Sequence, residues 1–263
     1  MCSVEHDFSD YQLCLCKNCE HRFSMVSKTN EESYGSAYYL DKHKNWFKNP
    51  DLVLYNKIHS TIHKLKSKNI LDIGCGNANL LKFLKSKKSD ISLSGIDLSD
   101  VKNFDDVKII NQNFLDYDWP VQYDFVVSLA TIEHVDNIDL FVNKIFDKLQ
   151  KNGHLFIMTM NDDSCLYKCA RLLFKLGLPK AFSRLYDKHH LNHFSHRSLK
   201  KLLKSNGFKI IKIYKHNAPK KSLDIEYSNA IEYFINVVAV KFLFLIGKIS
   251  GKTYLQSIVA QKD

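Results

Sequence analysis

The stretch that most constrains this chain is Ile70-Leu71-Asp72-Ile73-Gly74-Cys75-Gly76-Asn77-Ala78-Asn79, with Ser94-Gly95-Ile96-Asp97-Leu98 shortly after it. The first part reads as a short buried strand that breaks into a glycine turn and then a helix over Leu80 to Lys88. The second reads as another apolar strand ending on a carboxylate. Strand, glycine turn, helix, strand and acid in this order form the nucleotide-binding half of a Rossmann-like sheet. The glycines let the backbone approach a ligand, and the acid accepts hydrogen bonds from ribose hydroxyls.

A dinucleotide fingerprint would place Gly or Ala three residues after Gly76, where Asn79 stands, and it contains no acid at the position of Asp72. Asp72-x-Gly74-x-Gly76-x-Ala78 instead resembles the acid-x-Gly-x-Gly-x-Gly motif of the class I S-adenosylmethionine-dependent methyltransferases, with Ala78 replacing the last glycine. The resemblance implies that Asp72 lies near the methionine part of the cofactor, that Gly74 and Gly76 pass under it, and that Asp97 holds its ribose. By the same resemblance Asn113 and Phe114 contact the adenine, and Cys75, Asn77, Leu98 and Leu129 complete the cofactor site.

The remaining pattern extends the same architecture. Lys108 to Phe114 reads as a third strand and the nearly all-apolar Tyr123 to Ala130 as a fourth, buried on both faces. The fourth runs into Thr131-Ile132-Glu133-His134-Val135, similar to a turn of small-molecule members of the family. Ile138, Phe141, Val142, Ile145, Phe146 and Leu149 recur at helical spacing, with Asn152-Gly153 as a stop, and His154 to Met160 is a fifth strand. An amphipathic helix over Ser198 to Phe208 precedes a sixth strand, Lys209 to Tyr214, and Tyr254 to Ala260 would be the seventh. The expected fold is α/β: a Rossmann-like seven-stranded methyltransferase sheet, mostly parallel, with helices on both faces. The resemblance makes the last strand antiparallel beside the fifth. That domain covers residues 50–263, with insertions at 161–197 and 217–253, behind a small N-terminal extension over residues 1–49.

The extension contains Cys16-Lys17-Asn18-Cys19, the spacing at which two thiolates share one tetrahedral zinc. A second pair is absent, and Cys2, His6, Cys14 and His21 are the nearby substitutes. Cys16, Cys19 and Phe23, followed by Tyr34, Tyr38 and Tyr39, resemble the N-terminal zinc-ribbon strip of bacterial methyltransferases associated with glycan biosynthesis. Zinc on Cys16 and Cys19 and a packed, metal-free hairpin are the two readings.

The first insertion holds Asp187-Lys188-His189-His190-Leu191-Asn192-His193-Phe194-Ser195. In this family the connection forms part of the wall over the acceptor, and histidine titrates near neutral pH. His134, His190 and His193 are therefore the candidate catalytic bases. A turn whose histidines bond to backbone is the alternative, favoured for His189. The second insertion contains the apolar run 231–246, interrupted by Asn236 and Lys241 and hence a poor membrane span. A helix buried against the first insertion is expected; a helix lying on a membrane surface or a dimer face is the alternative.

The net charge of +10 raises nucleic acid as a partner, but Lys carries the excess and Arg stands only at positions 22, 171, 184 and 197. No nucleic-acid partner is expected. Seven cysteines without an extracellular context point to a reducing compartment, and the polar start Met1 to Asp7 has no apolar signal core, so the cytoplasm is expected. The reading is an O-methyltransferase using S-adenosyl-L-methionine on a sugar or glycan intermediate, such as a capsule or lipopolysaccharide precursor in polysaccharide biosynthesis. A quinone-type O-methyltransferase at the membrane surface and a non-catalytic cofactor-binding protein are the alternatives.

Overall fold

The structure is a computed structural model that describes residues 2–26, 44–87, 90–118, 120–225 and 228–263. Tyr34, Tyr38 and Tyr39 of the glycan-type resemblance lie outside the described residues. The N-terminus is an antiparallel meander of β1 (Cys2–Asp7), β2 (Tyr11–Cys16) and β3 (Arg22–Val26). The main sheet comprises β4 (Asn69–Ile73), β5 (Ser92–Asp97), β6 (Lys108–Asn111), β7 (Tyr123–Leu129) and β8 (Leu149–Met160), completed by β10 (Phe208–His216) and β11 (Leu255–Lys262). Its seven strands run in the order β10-β11-β8-β7-β4-β5-β6. β4, β5, β6, β7 and β8 pair in parallel, while β11 is antiparallel to both β8 and β10. The seventh strand thus enters beside the fifth, as expected.

Alternation along the central strand sorts side chains between two apolar layers. Phe125 and Val127 of β7 join Leu54, Ile58, Leu80 and Leu84 on one face. These come from α2 (Leu52–Leu65) and α3 (Asn79–Ser86), with the short α1 (Lys44–Lys48) ahead of them. Val126 joins Phe141 and Ile145 of α4 (Ile138–Lys148) and Leu199 and Leu203 of α7 (His196–Ser205) on the other. Side-chain caps begin several helices: Asp51 accepts from the Leu54 N–H, Asn137 from Leu140, and Ser195 from Ser198.

Two expectations change. Asn152-Gly153 does not close a helix, because α4 ends at Lys148 and both residues lie inside β8. There Asn152 has φ +62 and β8 carries extra residues relative to β7, a bulge in the ladder. A Cβ on Gly153 would come within 2.8 Å of the Gln150 carbonyl oxygen, so glycine is required by close backbone approach rather than by a helix stop. The second change concerns the apolar run of the second insertion. It forms α8 (Ala230–Ser250), but only Phe244 and Gly247 of it are buried. It packs against α5 (Cys165–Lys175), as expected for a neighbour of the first insertion, and turns a wide apolar face outward.

The N-terminal meander is joined to the rest through the first insertion. β3 pairs with β9 (Asn192–His193), matching Arg22 to His193 and Phe23 to Asn192 and making a second, four-stranded sheet. Arg22 then reaches the almost fully buried Asp162 at 2.6 Å. Arg171 of α5 donates to the same carboxylate at 2.9 Å, and the Tyr186 hydroxyl donates to it as well. Tyr11 donates to the Tyr186 carbonyl, which closes the link from β2 to the insertion.

Asp162 therefore holds two arginines from two different segments, and removing its carboxylate takes the shared buried acceptor from both, leaving Arg22 only Glu5 and Arg171 only the residue-162 carbonyl and the Tyr186 hydroxyl. Asp162→Ala should cost ~3–5 kcal/mol. Thermal unfolding should show a melting temperature lower by about 10 °C, given ~2–4 °C per kcal/mol for a chain of this size. A shift below ~2 °C would refute the anchoring role.

Candidate functional site

The site is built at the carboxyl ends of the parallel strands, where open α/β sheets form their crevice. The chain leaves β4 through Gly74 and Gly76, with φ of +71 and +50, and through Ala78, which is also left-handed at +57. Backbone donors dock this turn on the end of β5: Gly74 N–H and Cys75 N–H reach the Ile96 carbonyl at 2.8 and 3.2 Å. The Gly76 N–H donates to the Asp97 carboxylate at 2.8 Å. The other Asp97 oxygen accepts from the Ser99 N–H at 2.9 Å and its hydroxyl at 2.5 Å. A Cβ on Gly74 would stand 2.2 Å from the Thr131 hydroxyl, and one on Gly76 would stand 2.6 Å from the Phe47 ring. The glycines are thus pressed against this chain's own side chains.

Above the turn lies a cavity of about 1210 Å³. Asp72, Gly74, Cys75, Gly76, Asn77, Asp97, Leu98, Asn113, Phe114 and Leu129 all line it, so the expected cofactor residues meet in one place. Asp72 is buried, and among the described residues no hydrogen-bond donor reaches its carboxylate. Burial, reinforced by the charge of Asp97, raises its pKa to about 8. Burial also pushes the Cys75 thiol well up, so it stays protonated and acts as packing. Two carboxylates on a cavity floor with left-handed glycines fit a cationic group carrying ribose hydroxyls. Such a ligand supplies the positive charge that Asp72 lacks and further donors for Asp97.

The candidate bases separate. His134 lines the cavity, and its Nδ1 donates to the His189 carbonyl at 2.7 Å. His190 also lines it, with its ring centroid 4.9 Å from that of His134. His193 does not line the cavity. It lies in β9 at 2% exposure, and burial lowers its pKa to about 3, so the ring is a neutral core residue rather than a base. His189 serves through its backbone. The cause is the strand pairing of residues 192–193 with β3, which draws His193 inward while leaving His190 at the rim.

Glu133, not foreseen as a site residue, also lines the cavity. It is 1% exposed and accepts from the Thr159 hydroxyl at 2.9 Å, and burial lifts its pKa to about 7. Its signal was present in the turn after the fourth strand, one residue before His134. Thr131 and Phe47 were likewise missed, because their role is contact with the glycines across large sequence separations.

Cys16 and Cys19 do meet. Hydrogen bonds from the Cys19 and Asn18 backbone, and from the Cys19 thiol, lower the Cys16 pKa to about 7. Among the described residues no group of three or more His, Cys, Asp or Glu side chains is placed to hold a metal. Zinc on Cys16 and Cys19 thus has no third ligand among the described residues, and the hairpin is held by strand pairing and the Asp162 cluster.

A family model described as a methyltransferase domain matches residues 51–213. Among curated proteins, the chain is similar to the ubiquinone biosynthesis O-methyltransferase of Pelagibacter ubique, 34% identical over 116 residues, or 40% of this chain and 47% of that protein. It is similar to the pavine N-methyltransferase of Thalictrum flavum subsp. glaucum, 28% identical over 99 residues, or 34% of this chain and 28% of that protein. The matched stretch spans less than half the length of these curated relatives. Among solved structures, Burkholderia thailandensis 1,6-didemethyltoxoflavin-N1-methyltransferase, with bound 1,6-didemethyltoxoflavin and S-adenosylhomocysteine, superposes with a TM-score of 0.55 at 11% identity over 99% of both chains. A SAM-dependent methyltransferase from Archaeoglobus fulgidus gives 0.53 at 20% identity, over 86% of this chain and 99% of that one. At these identities the likeness is one of fold.

The buried Asp72 carboxyl sets a pH dependence of known sign. Its folded pKa of about 8 lies above the unfolded ~3.9, so its contribution is fully present below the unfolded value and is lost as pH rises toward the folded one. Melting curves of the ligand-free protein should fall relative to those of Asp72→Asn between about pH 4 and pH 8. Parallel curves across that window would overturn the buried-carboxyl assignment.

Proposed function

Since this chain belongs to the S-adenosylmethionine-dependent methyltransferase family, we propose that it methylates a hydroxyl oxygen on an amphiphilic acceptor of the quinone-precursor type, a polar ring carrying an apolar tail. The observation that carries this reading is the make-up of the cavity wall. Asp72, Asp97 and the glycine turn line it together with Leu173 of α5 and Ala239, Val240 and Leu243 of α8, with Lys180, Arg184 and Asn236 beside these. Glu133 and His134 line the cavity with them. Apolar side chains from two helices beside these polar groups suit a ring with a tail better than a sugar. The similarity to a ubiquinone biosynthesis O-methyltransferase supports the same reading. The glycan reading is supported by the resemblance carried by Cys16, Cys19, Phe23 and the tyrosines after them and by the two insertions.

In the proposed mechanism Asp72 would take the amino group of the cofactor and Asp97 its ribose hydroxyls, with Asn113 and Phe114 beside the base. When bound, the cofactor supplies a methyl group on a sulfonium, a carbon already carrying a good leaving group. The chain's task is then alignment in a dry site and removal of the acceptor's proton. Because His134 Nδ1 donates to the His189 carbonyl, the lone pair of the neutral ring sits on Nε2, where a proton can be accepted. Glu133, with a pKa of about 7, is the second acceptor available at neutral pH. A carboxyl that titrates there is half ionised near the working pH, the condition under which a base is most effective.

The test is methyl transfer from labelled cofactor to a water-soluble dihydroxybenzene with a short isoprenoid tail, compared with nucleotide sugars. Label should enter the phenol. His134→Gln should lower turnover ~10²–10⁴-fold while cofactor affinity stays within about twofold. Turnover should rise through about pH 7, and Glu133→Gln should remove that limb if Glu133 takes the proton. Transfer to a nucleotide sugar with none to the phenol would replace this reading with the glycan one.

A further inference from the structure

α8 is 21 residues long, about 31 Å at helical rise, with a mean hydropathy of 1.8 over its most apolar window. Only 11% of that window is buried. Ile231, Phe234, Val238, Phe242, Leu245 and Ile249 are all exposed, Phe234 at 68% and Ile249 at 80%. Their spacing of three and four residues makes one unbroken stripe from end to end of the helix. Ala239, Val240 and Leu243 line the cavity from the other side. The helix is therefore a wall one residue layer thick, with the candidate acceptor site behind it and an apolar face in front. Leu172, Leu176 and Leu178, also exposed, continue that apolar surface on α5 and the turn after it.

The helix does not lie across a membrane, because the strands on either side of it, β10 and β11, are antiparallel neighbours in one sheet. Asn217 ties the two together: its amide donates to the Phe244 carbonyl, and its oxygen accepts from the Tyr254 N–H. The helix must lie flat on whatever covers it.

The charges identify the covering surface. α5 and α8 carry the exposed Lys175, Lys241 and Lys248 against a single carboxylate, Glu232, which pairs with Lys180 of α6 (Lys180–Leu185), while Arg171 and Lys168 are already held by Asp162 and Asp163. Lys241 and Lys248, seven residues apart, share one flank of the apolar stripe. A second copy of this chain would meet this face with the same basic helices, since a two-fold interface joins a patch to itself. Anionic lipid headgroups match it, and each basic residue near them contributes about fivefold in affinity.

We propose that the α5–α8 face docks flat on an anionic bilayer, its apolar stripe in the headgroup boundary and its lysines on the headgroups, so that a tailed acceptor reaches the cavity past α8. The purpose of docking rests on the acceptor reading above; docking itself is measured without turnover. Purified full-length protein is sedimented with vesicles of phosphatidylcholine alone and with about one-third phosphatidylglycerol. The wild type should bind the anionic vesicles at least tenfold more tightly. Phe234→Glu combined with Phe242→Glu should lose at least tenfold. Lys241→Glu combined with Lys248→Glu should lose the preference for anionic lipid. Helical circular dichroism and cofactor affinity of both variants should match the wild type, since none of these side chains lines the cavity. Absence of sedimentation, equal binding to both vesicle types, or a wild-type dimer that dissociates on Phe234→Glu would overturn the proposal. Methylation of the water-soluble phenol without vesicles tests the acceptor reading separately.

Discussion

The hydrogen bond from the Gly76 N–H to the Asp97 carboxylate is the contact on which the rest of the site depends. It fastens the turn after β4 to the end of β5, and the Ile96 carbonyl adds two more backbone bonds to the same dock. Asp97 thus has a structural task before any ligand arrives, because it fixes the glycine turn that forms the cavity floor. An ionised acceptor is suited to this, since a charge-assisted bond to a backbone donor is about twice as strong as a neutral one. The consequence is preorganisation: the floor need not be rearranged to receive a ligand, and Asp72 is held buried beside it whether or not a cation is present. That burial is unfavourable for an ionised carboxylate in the empty protein. The fold therefore keeps, on one side of the cavity, a group whose electrostatic cost a bound cation would relieve.

The opposite wall depends on the N-terminal meander. Asn192 donates to the Val135 carbonyl at 2.7 Å and its Oδ1 accepts from His21 Nε2 at 3.1 Å, while Ser24 N–H bonds the Leu191 carbonyl at 2.8 Å. These contacts clamp residues 190–193 between β3 and the turn that carries Glu133 and His134. The meander shapes the site through these backbone and side-chain contacts. Its cysteines pack in a hairpin whose attachment to the domain rests on Arg22 and Asp162.

The sheet was legible in the sequence because its signals are local: apolar runs of strand length, a glycine turn at the right place, and helices with matching periodicity. The cavity floor was legible for the same reason, since every residue expected there, from Asp72 to Leu129, belongs to a strand end or its turn. Ala78 shows how far a motif can bend. It occupies the left-handed conformation that the missing glycine would have taken, at a cost of roughly 1–2 kcal/mol. The placement of the candidate bases was only half legible. His190 and His193 are equivalent in sequence, and what separates them is pairing with β3, a contact made across most of the chain. Glu133 escaped because burial, which turns an ordinary carboxylate into a group titrating about pH 7, leaves no mark in composition. Exposure of α8 was misjudged for a related reason. An apolar helix has the same sequence when covered by protein as when covered by something else.

That last ambiguity follows from how α8 is placed. A helix that closes a cavity and also presents an apolar stripe outward cannot be optimised for both faces independently, because residues on neighbouring positions of the same turn serve opposite sides. Gly247 illustrates the constraint: a Cβ there would stand 2.6 Å from the Lys252 carbonyl oxygen, so the helix is drawn tightly onto the strand that follows it. Phe244 packs beside Tyr254 with ring centroids 5.7 Å apart and fixes the same end. At the amino-terminal end Asn229 caps the helix by accepting from the Glu232 N–H, and Glu232 pairs with Lys180 at the surface. Exposed ion pairs contribute little, typically under ~1 kcal/mol. The wall of the cavity is therefore anchored at its carboxyl-terminal end, where its two buried residues, Phe244 and Gly247, meet the segment leading into β11.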